Sequence, residues 1–486
     1  AYQVFQQQFD HTSGGFGGAP KFPQPLVLEF LLRQYVRTEE PQALEMVEKT
    51  LEAMYRGGIY DHLGGGFHRY AVDAGWTVPH FEKMLYDNAL LSRVYLHAFQ
   101  ITGKPEYRLV AEDVFDYVLR EMTDPKTGGF YSSQDADSEG EEGKYYVWTP
   151  DELKSVLGES DGEKFIQRFG VTDNGNFEGR NILHLDGDFK AELIVQDRDN
   201  KEKLRRHREN RVHPGKDTKV LVSWNAMMQS SLAEAGCVLN RPDYLAAAVR
   251  NADYLLDKLL VDDVLHHTLS VNEGFLEDYA LLADSLLWLH QATLRPRWLR
   301  QATDLAEAML GRFWDDKEAV FYDTPAGMSG LFKRPRSFQD GAVPSGAAAG
   351  ALVLLKLARL TDDQRYWQTG NMALRGVAAY LGRYALGFGQ WLAALDFYLG
   401  PQQEVAIIGS AVDPATGKLA ATVCRRFLPN TVLAALDPDD AAGISEMPLF
   451  QQREQLNGQA TAYVCRNFNC FPPVTTPEDL EQVLDL

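Results

Sequence analysis

Long apolar runs are missing from this sequence. The nearest approach, Gly341 to Leu355, is half glycine and alanine and ends at Lys356, short of the roughly 18 apolar residues a bilayer-spanning helix needs. No transmembrane helix is expected. Cysteine is scarce too. Four in 486 residues, without an even framework at short spacing or a secretory signal, exclude a disulfide-stapled scaffold and point to a reducing cytoplasmic setting. Basic residues are in deficit, 48 Lys and Arg against 68 Asp and Glu, for a net charge of −20. Such a surface repels phosphate backbones and anionic headgroups, which disfavours nucleic acid and membrane partners. P-loop, dinucleotide-binding glycine, zinc-protease and nucleophile-elbow motifs are all missing, so nucleotide, metalloprotease and serine-hydrolase readings lack support. The chain begins at Ala1 rather than Met, which suggests that an N-terminal part has been removed.

What remains is ordinary globular material, 45% hydrophobic and 24% charged, able to bury a large core without metal or cross-links. At about 150 residues per domain the length suggests roughly three domains or one large barrel with insertions. A turn signature recurs: Asp10 to Phe16, Asp61 to Phe67 and Asp124 to Tyr131 each run from an aspartate through paired glycines to an aromatic, with a looser copy from Asp315 to Tyr322. Paired glycines permit positive φ and a sharp reversal, and the aromatic plugs the turn against a core. One supersecondary unit used many times is implied.

Between the turns, apolar residues recur at helical spacing in paired segments. The first members span about 26–37, 80–101, 224–239, 275–293, 345–360 and 389–399. The second members span about 43–56, 106–122, 243–260, 298–313, 364–384 and 414–427. Each pair buries its apolar face only against its neighbours, so six such hairpins predict a mainly α (α/α)6 toroid over 1–402, its first members inside. Residues from about 123 to 222 interrupt the rhythm and read as an insertion. Past Pro401, short β-rich runs alternate with helical ones, which predicts a small α/β appendage over 403–486.

The segments leading into the inner helices carry the candidate chemistry. Gly64 to Tyr70 and Trp76 to Asn88 contain His68, Arg69, Tyr70, Trp76, His80, Glu82, Tyr86, Asp87 and Asn88. With Pro79 opening a helix, His80 and Asp87 would share one face and pair an imidazole with a carboxylate. The later segments add Ser223, Trp224 and Asn225, then Glu277, Asp278 and Tyr279, then Asp340. An acid or amide with an aromatic at each inner-helix start suits a sugar, because carboxylates grip hydroxyls and rings stack on C–H faces; it equally suits plain helix capping. Gln134 to Gly143 alternates acids as calcium loops do, but Tyr146 stands where the bidentate glutamate is required, so a lid over a pocket or a solvated turn is preferred to a metal. Arg205 to Arg208 read as a solvated face, Cys465 and Cys470 as structural thiols, and His266-His267 as a turn without a ligand role. No metal or cofactor is implied.

Gly14 to Pro23, Gly64 to Tyr70, Val78 to Asn88, Asp135 to Gly143 and Ser223-Trp224-Asn225 together resemble the YyaL-type family, also called spermatogenesis-associated or highly conserved thioredoxin-domain proteins. The likeness covers essentially the whole chain. It implies a six-hairpin glycosidase-like toroid preceded by a thioredoxin-like domain absent here, a possible partner of the toroid. Where relatives read Pro-Ser-Gly-Asn, this chain has Pro344-Ser345-Gly346-Ala347. The toroid is also similar to that of N-acylglucosamine epimerases. Their two-histidine mechanism is disfavoured, because the last histidine here is His290.

The expectation is a carbohydrate-active protein, hydrolase-like or isomerase/epimerase-like, with a small-molecule sugar in a central funnel. Asp87, Asp278, Asp340, His80 and Glu82 are the acid/base candidates. His68, Arg69, Tyr70, Trp76, Tyr86, Asn88, Trp224, Asn225, Glu277 and Tyr279 are the binding candidates. Glu82 or Asp87 against Asp278 or Asp340 would serve as acid and base if about 5 to 9.5 Å apart. The alternative is a non-catalytic toroid that recognises a peptide, a protein partner or its own missing domain.

Overall fold

The computed structural model describes residues 1–271, 273–328, 330–439, 447–466 and 469–485. The chain divides into two compact units, Tyr2–Val220 and Leu221–Leu486, the latter also taking Ala1.

Unit Tyr2–Val220 contains α1 (Tyr2–Gln8), the hairpin of α2 (Pro25–Thr38) and α3 (Pro41–Arg56), and the hairpin of α4 (Leu85–Thr102) and α5 (Pro105–Glu121). The short helices α6 (Pro150–Leu157), α7 (Glu159–Arg168), α8 (Ala191–Gln196) and α9 (Arg198–Arg208) follow. Second members open on proline because φ is preset there and the missing N–H would be unpaired at a first helical turn anyway.

The three glycine turns are the same object built three times. Asp10, Asp61 and Asp124 each receive an amide on the main-chain carbonyl, from Gly14 at 2.9 Å, Gly65 at 2.8 Å and Gly128 at 2.8 Å. Each donates its own N–H in return, to Gly15, Gly66 and Gly129. Their carboxylates accept further turn amides, for example Leu63 N–H at 3.1 Å and Gly64 N–H at 3.0 Å on Asp61. Left-handed φ values of 74° at Gly65 and 79° at Gly66 permit the reversal. A Cβ on Gly66 would sit 2.5 Å from the Tyr117 ring. The plugging aromatics Phe16, Phe67 and Phe130 are buried.

Asp61 also anchors a buried charge cluster. Arg208 at the end of α9 donates twice to its carboxylate, both at 2.8 Å, and Lys83 donates once at 2.8 Å. Tyr117 and Tyr146 face the ammonium, and Tyr145 and Tyr146 the guanidinium. The reading of Arg205 to Arg208 as a solvated face is thus corrected at Arg208, whose side chain is 4% exposed. The i, i+3 and i, i+4 partners of Arg205 and Arg206 are Glu202 on α9 and Glu209 at its C-terminal end, and a charged run does not reveal which of its members turns inward.

Unit Leu221–Leu486 begins with three hairpins: α10 (Val222–Val238) with α11 (Pro242–Lys258), α12 (Leu276–Thr293) with α13 (Pro296–Phe313), and α14 (Gly346–Thr361) with α15 (Gln364–Leu381). First members are buried on nearly every face, as α10 and α14 show. Second members bury one stripe, which on α13 runs through Trp298, Ala302, Leu305, Met309 and Phe313. Each large apolar side chain buried this way stabilises by about 1.5–3 kcal/mol. Helix α16 (Gly389–Leu399) packs on α14 and α15.

The expected partner of α16 is not its hairpin mate. Strand Gln403–Ile408 intervenes, and α17 (Pro414–Cys424) packs beside it and against α18 (Pro477–Asp485). The sheet order is Thr431–Leu436, Gln403–Ile408, Thr461–Arg466, Asn469–Cys470, the first pair parallel and the others antiparallel. Val405, Ile407, Leu433, Ala462 and Val464 meet Leu419, Val423, Leu480 and Leu484 in one core. Cys465 and Cys470, read above as thiols, face each other across the last strand pair as a disulfide.

Candidate functional site

In unit Leu221–Leu486 a carboxylate cluster forms where α12 begins. Asp278, in its first turn, accepts the Phe275 N–H at 2.8 Å and the Ser223 N–H at 3.1 Å, which ties the start of α10 to the start of α12. The same carboxylate lies 2.9 Å from Nδ1 of His267, which fixes the proton there and turns Nε2 away from it. Asp278 is fully buried, whereas the His267 side chain is 18% exposed. Glu277, the neighbour of Asp278, is partly exposed. Burial first, then the Asp278 charge, push its carboxyl up to about 7. The His267 imidazole is raised above its ordinary 6.5 although burial opposes this, because Asp278 favours the charged ring. Ligand atoms of His267, Glu277 and Asp278 lie within 4.8 Å of one another.

A second cluster lies in unit Tyr2–Val220. Arg69 donates to Glu82 at 3.0 Å, and His80 places Nδ1 2.7 Å from Glu142 and Nε2 3.7 Å from Glu82. Tyr70 stacks on His80 with ring centroids 5.1 Å apart and on the exposed Phe22 at 4.8 Å. Tyr86 is buried and hydrogen-bonds Arg69. Asp87, 4% exposed, has an Oδ2 without a hydrogen-bond partner. Its carboxyl is held well above the usual range by burial, with the Arg69 charge opposing.

Several expectations are corrected. His80 and Asp87 do not share a helix face: Pro79–His80 pairs as a strand with Tyr70–Ala71, Lys83–Met84 pairs with Ser133–Gln134, and the helix starts only at Leu85. Tertiary strand pairing overrides the proline signal, and His80 takes Glu142 as its partner. His68 is no proton partner. Burial pushes its imidazole down to about 3, and Nδ1 pairs with the Phe81 carbonyl at 2.8 Å. Trp76 is a packing residue, fully buried, its indole N–H donating to Ser13 at 2.9 Å. Asn88 clamps Phe67 through N–H and carbonyl together. Asn225 is held between Leu221 and Asn251, and the Tyr279 hydroxyl accepts the Leu265 N–H. Asp340 is a brace. It accepts from Ser345 at the start of α14 and from Gln390 at the start of α16, with burial raising its carboxyl to about 6.

Among the described residues the carboxylates of the acidic loop form no metal-type group. Asp137–Ser138 and Glu141–Glu142 pair as a hairpin that brings Glu142 onto His80. Glu142 and His267 are the residues that sequence reasoning missed. The signal for His267 is its place in the segment that leads from α11 into α12, eleven residues before the capping acid it meets.

No protein-family model matches the chain. Spermatogenesis-associated protein 20 of Homo sapiens is 32% identical over 99% of the chain, which spans 68% of that protein. The chain belongs to the spermatogenesis-associated protein 20 family. Family members from Mus musculus, 31% identical over 99% of the chain and 68% of their own length, and an uncharacterised protein of Caenorhabditis elegans, 27% identical over 100% and 73%, also match. Among solved structures, cellobiose 2-epimerase from Spirochaeta thermophila superposes with a TM-score of 0.52 at 15% identity, covering 79% of this chain and 83% of that one. A family 76 α-mannanase from Bacteroides thetaiotaomicron superposes at 0.50 with 11% identity, covering 82% and 94%. These likenesses show the fold of this family member, mainly α and of the α/α toroid class. Among the described residues no helix is long and apolar enough to cross a membrane.

Proposed function

We propose that this chain is a carbohydrate-active protein of the sugar isomerase or epimerase type, with Glu277 and His267 as its proton-transfer pair. The observation that carries the reading is the Glu277 carboxyl, pushed up to about 7 beside an imidazole whose Nδ1 is held by Asp278. Groups that titrate near the working pH both take and return protons efficiently. One of them removes the proton from the carbon beside a sugar carbonyl and the other supplies a proton to the resulting enediol. Asp278 acts through His267 as a positioning residue. The fold likeness to a cellobiose 2-epimerase and to a D-mannose isomerase supports the substrate class.

Two-carboxylate hydrolysis within this cluster is the weaker fit, because Asp278 spends its oxygens on two backbone amides and an imidazole. Trp224, next to Ser223, is assigned to stacking on the sugar. Arg69, Tyr70, His80 and Glu82 are assigned to hydroxyl binding in their own unit, with Asp87 as a neutral donor.

The test is incubation with reducing mono- and disaccharides in deuterated water. Exchange at the carbon beside the carbonyl is expected, and Glu277→Gln and His267→Gln should each lower it at least about 100-fold. No deuterium uptake into any of these sugars by the wild-type protein ends this reading.

A further inference from the structure

The fold gathers all four cysteines into two pairs. One is the disulfide Cys465–Cys470. The other joins distant stretches of chain: Cys237 is next to last in α10, Cys424 is the last residue of α17, and the two helices pack on each other. The Cys424 thiol hydrogen-bonds that of Cys237. Both residues are partly exposed. A thiol within hydrogen-bond reach of another, on helices already packed together, is placed for disulfide closure.

We propose that Cys237 and Cys424 are a reversible disulfide site, oxidised by exchange with small-molecule disulfides of the glutathione class. Cys424 keeps its proton, raised by its bond to Cys237 and by burial, with Glu234 adding to the effect. Cys237, which accepts that bond, is assigned as the attacking sulfur. Its thiolate attacks one sulfur of the small disulfide and expels one thiolate, which takes up a proton. Cys424 then loses its proton and attacks Sγ of Cys237 in the mixed disulfide, expelling the second thiolate. Two protein thiols give up two electrons and two protons, and the small disulfide leaves as two thiols. The bond ties the C-terminal α/β segment to α10, the helix whose first turn carries Ser223 on Asp278.

The full chain is equilibrated with oxidised and reduced glutathione at graded ratios, quenched with an alkylating agent and digested. A peptide linking Cys237 to Cys424 is expected at oxidising ratios, disappearing at reducing ones. The linked protein should melt at least about 3 °C higher, since the bond closes a long loop. In Cys237→Ser, glutathione should produce no such shift. Both thiols alkylated at every ratio, or glutathione adducts without the linked peptide, overturn the proposal.

Discussion

His267 and Asp278 meet through Nδ1 and Oδ2 at 2.9 Å, and that carboxylate also receives the N–H of Phe275, which caps α12, and of Ser223 in the first turn of α10. Histidine protonation and local architecture therefore share one acceptor. Asp278→Asn keeps the shape but removes the charge, and should destabilise the fold by about 2–3 kcal/mol in urea denaturation. The His267 imidazole should fall back toward its ordinary 6.5, read from its ring protons by NMR titration.

Proton exchange into a reducing sugar should follow a bell-shaped pH profile. Its rising limb reports ionisation of Glu277 at about 7, and its falling limb the loss of the His267 proton. Glu277→Gln should abolish the rising limb along with the rate.

The same glutamate makes stability pH-dependent without any substrate. It ionises at 4.5 in an unfolded chain and at about 7 in the folded one, so the unfolded state releases its proton first. Its contribution is fully present below 4.5 and lost as the pH climbs through 7. Scanning calorimetry should show Glu277→Gln melting above the wild type at pH 8 and level with it at pH 4.

Asp61, Lys83 and Arg208 are all buried, and Arg208 and Lys83 together hold the Asp61 carboxyl well below the usual range. Asp61→Asn leaves two cations facing each other without a counter-charge. A loss of about 3–5 kcal/mol is expected from chemical denaturation, with Lys83→Met costing less because Asp61 and Arg208 still pair.

Gly57 has an ordinary φ of −71°, so its requirement is space rather than backbone freedom. An added Cβ would lie 2.3 Å from the Trp76 carbonyl oxygen. Gly57→Ala should lower stability by about 1–3 kcal/mol or more, measured as a shift in the urea midpoint at unchanged slope.

The repeated turns and the helix pairs were legible because each depends on local chemistry: paired glycines before an aromatic, proline at a helix start, apolar residues every third or fourth position. Asp278 is legible as a residue at a helix start, and the contacts it makes there are those of a cap with an added imidazole. His80 was misplaced because its strand partners, Tyr70 and Ala71, lie beyond any helical window. Arg208 looked like its exposed neighbours, and only its meeting with Asp61 sets it apart. His267 has no further histidine or cysteine in its segment to mark it beyond His266, and its partner is the carboxylate of the following helix.

A reversal that brings its own cap, its own hinge and its own stopper is a self-contained cassette. Asp10, Asp61 and Asp124 make the closing hydrogen bonds of their turns within the turns themselves. A piece of that kind can recur along a chain, as it does three times between Asp10 and Tyr131, each copy closing on its own residues.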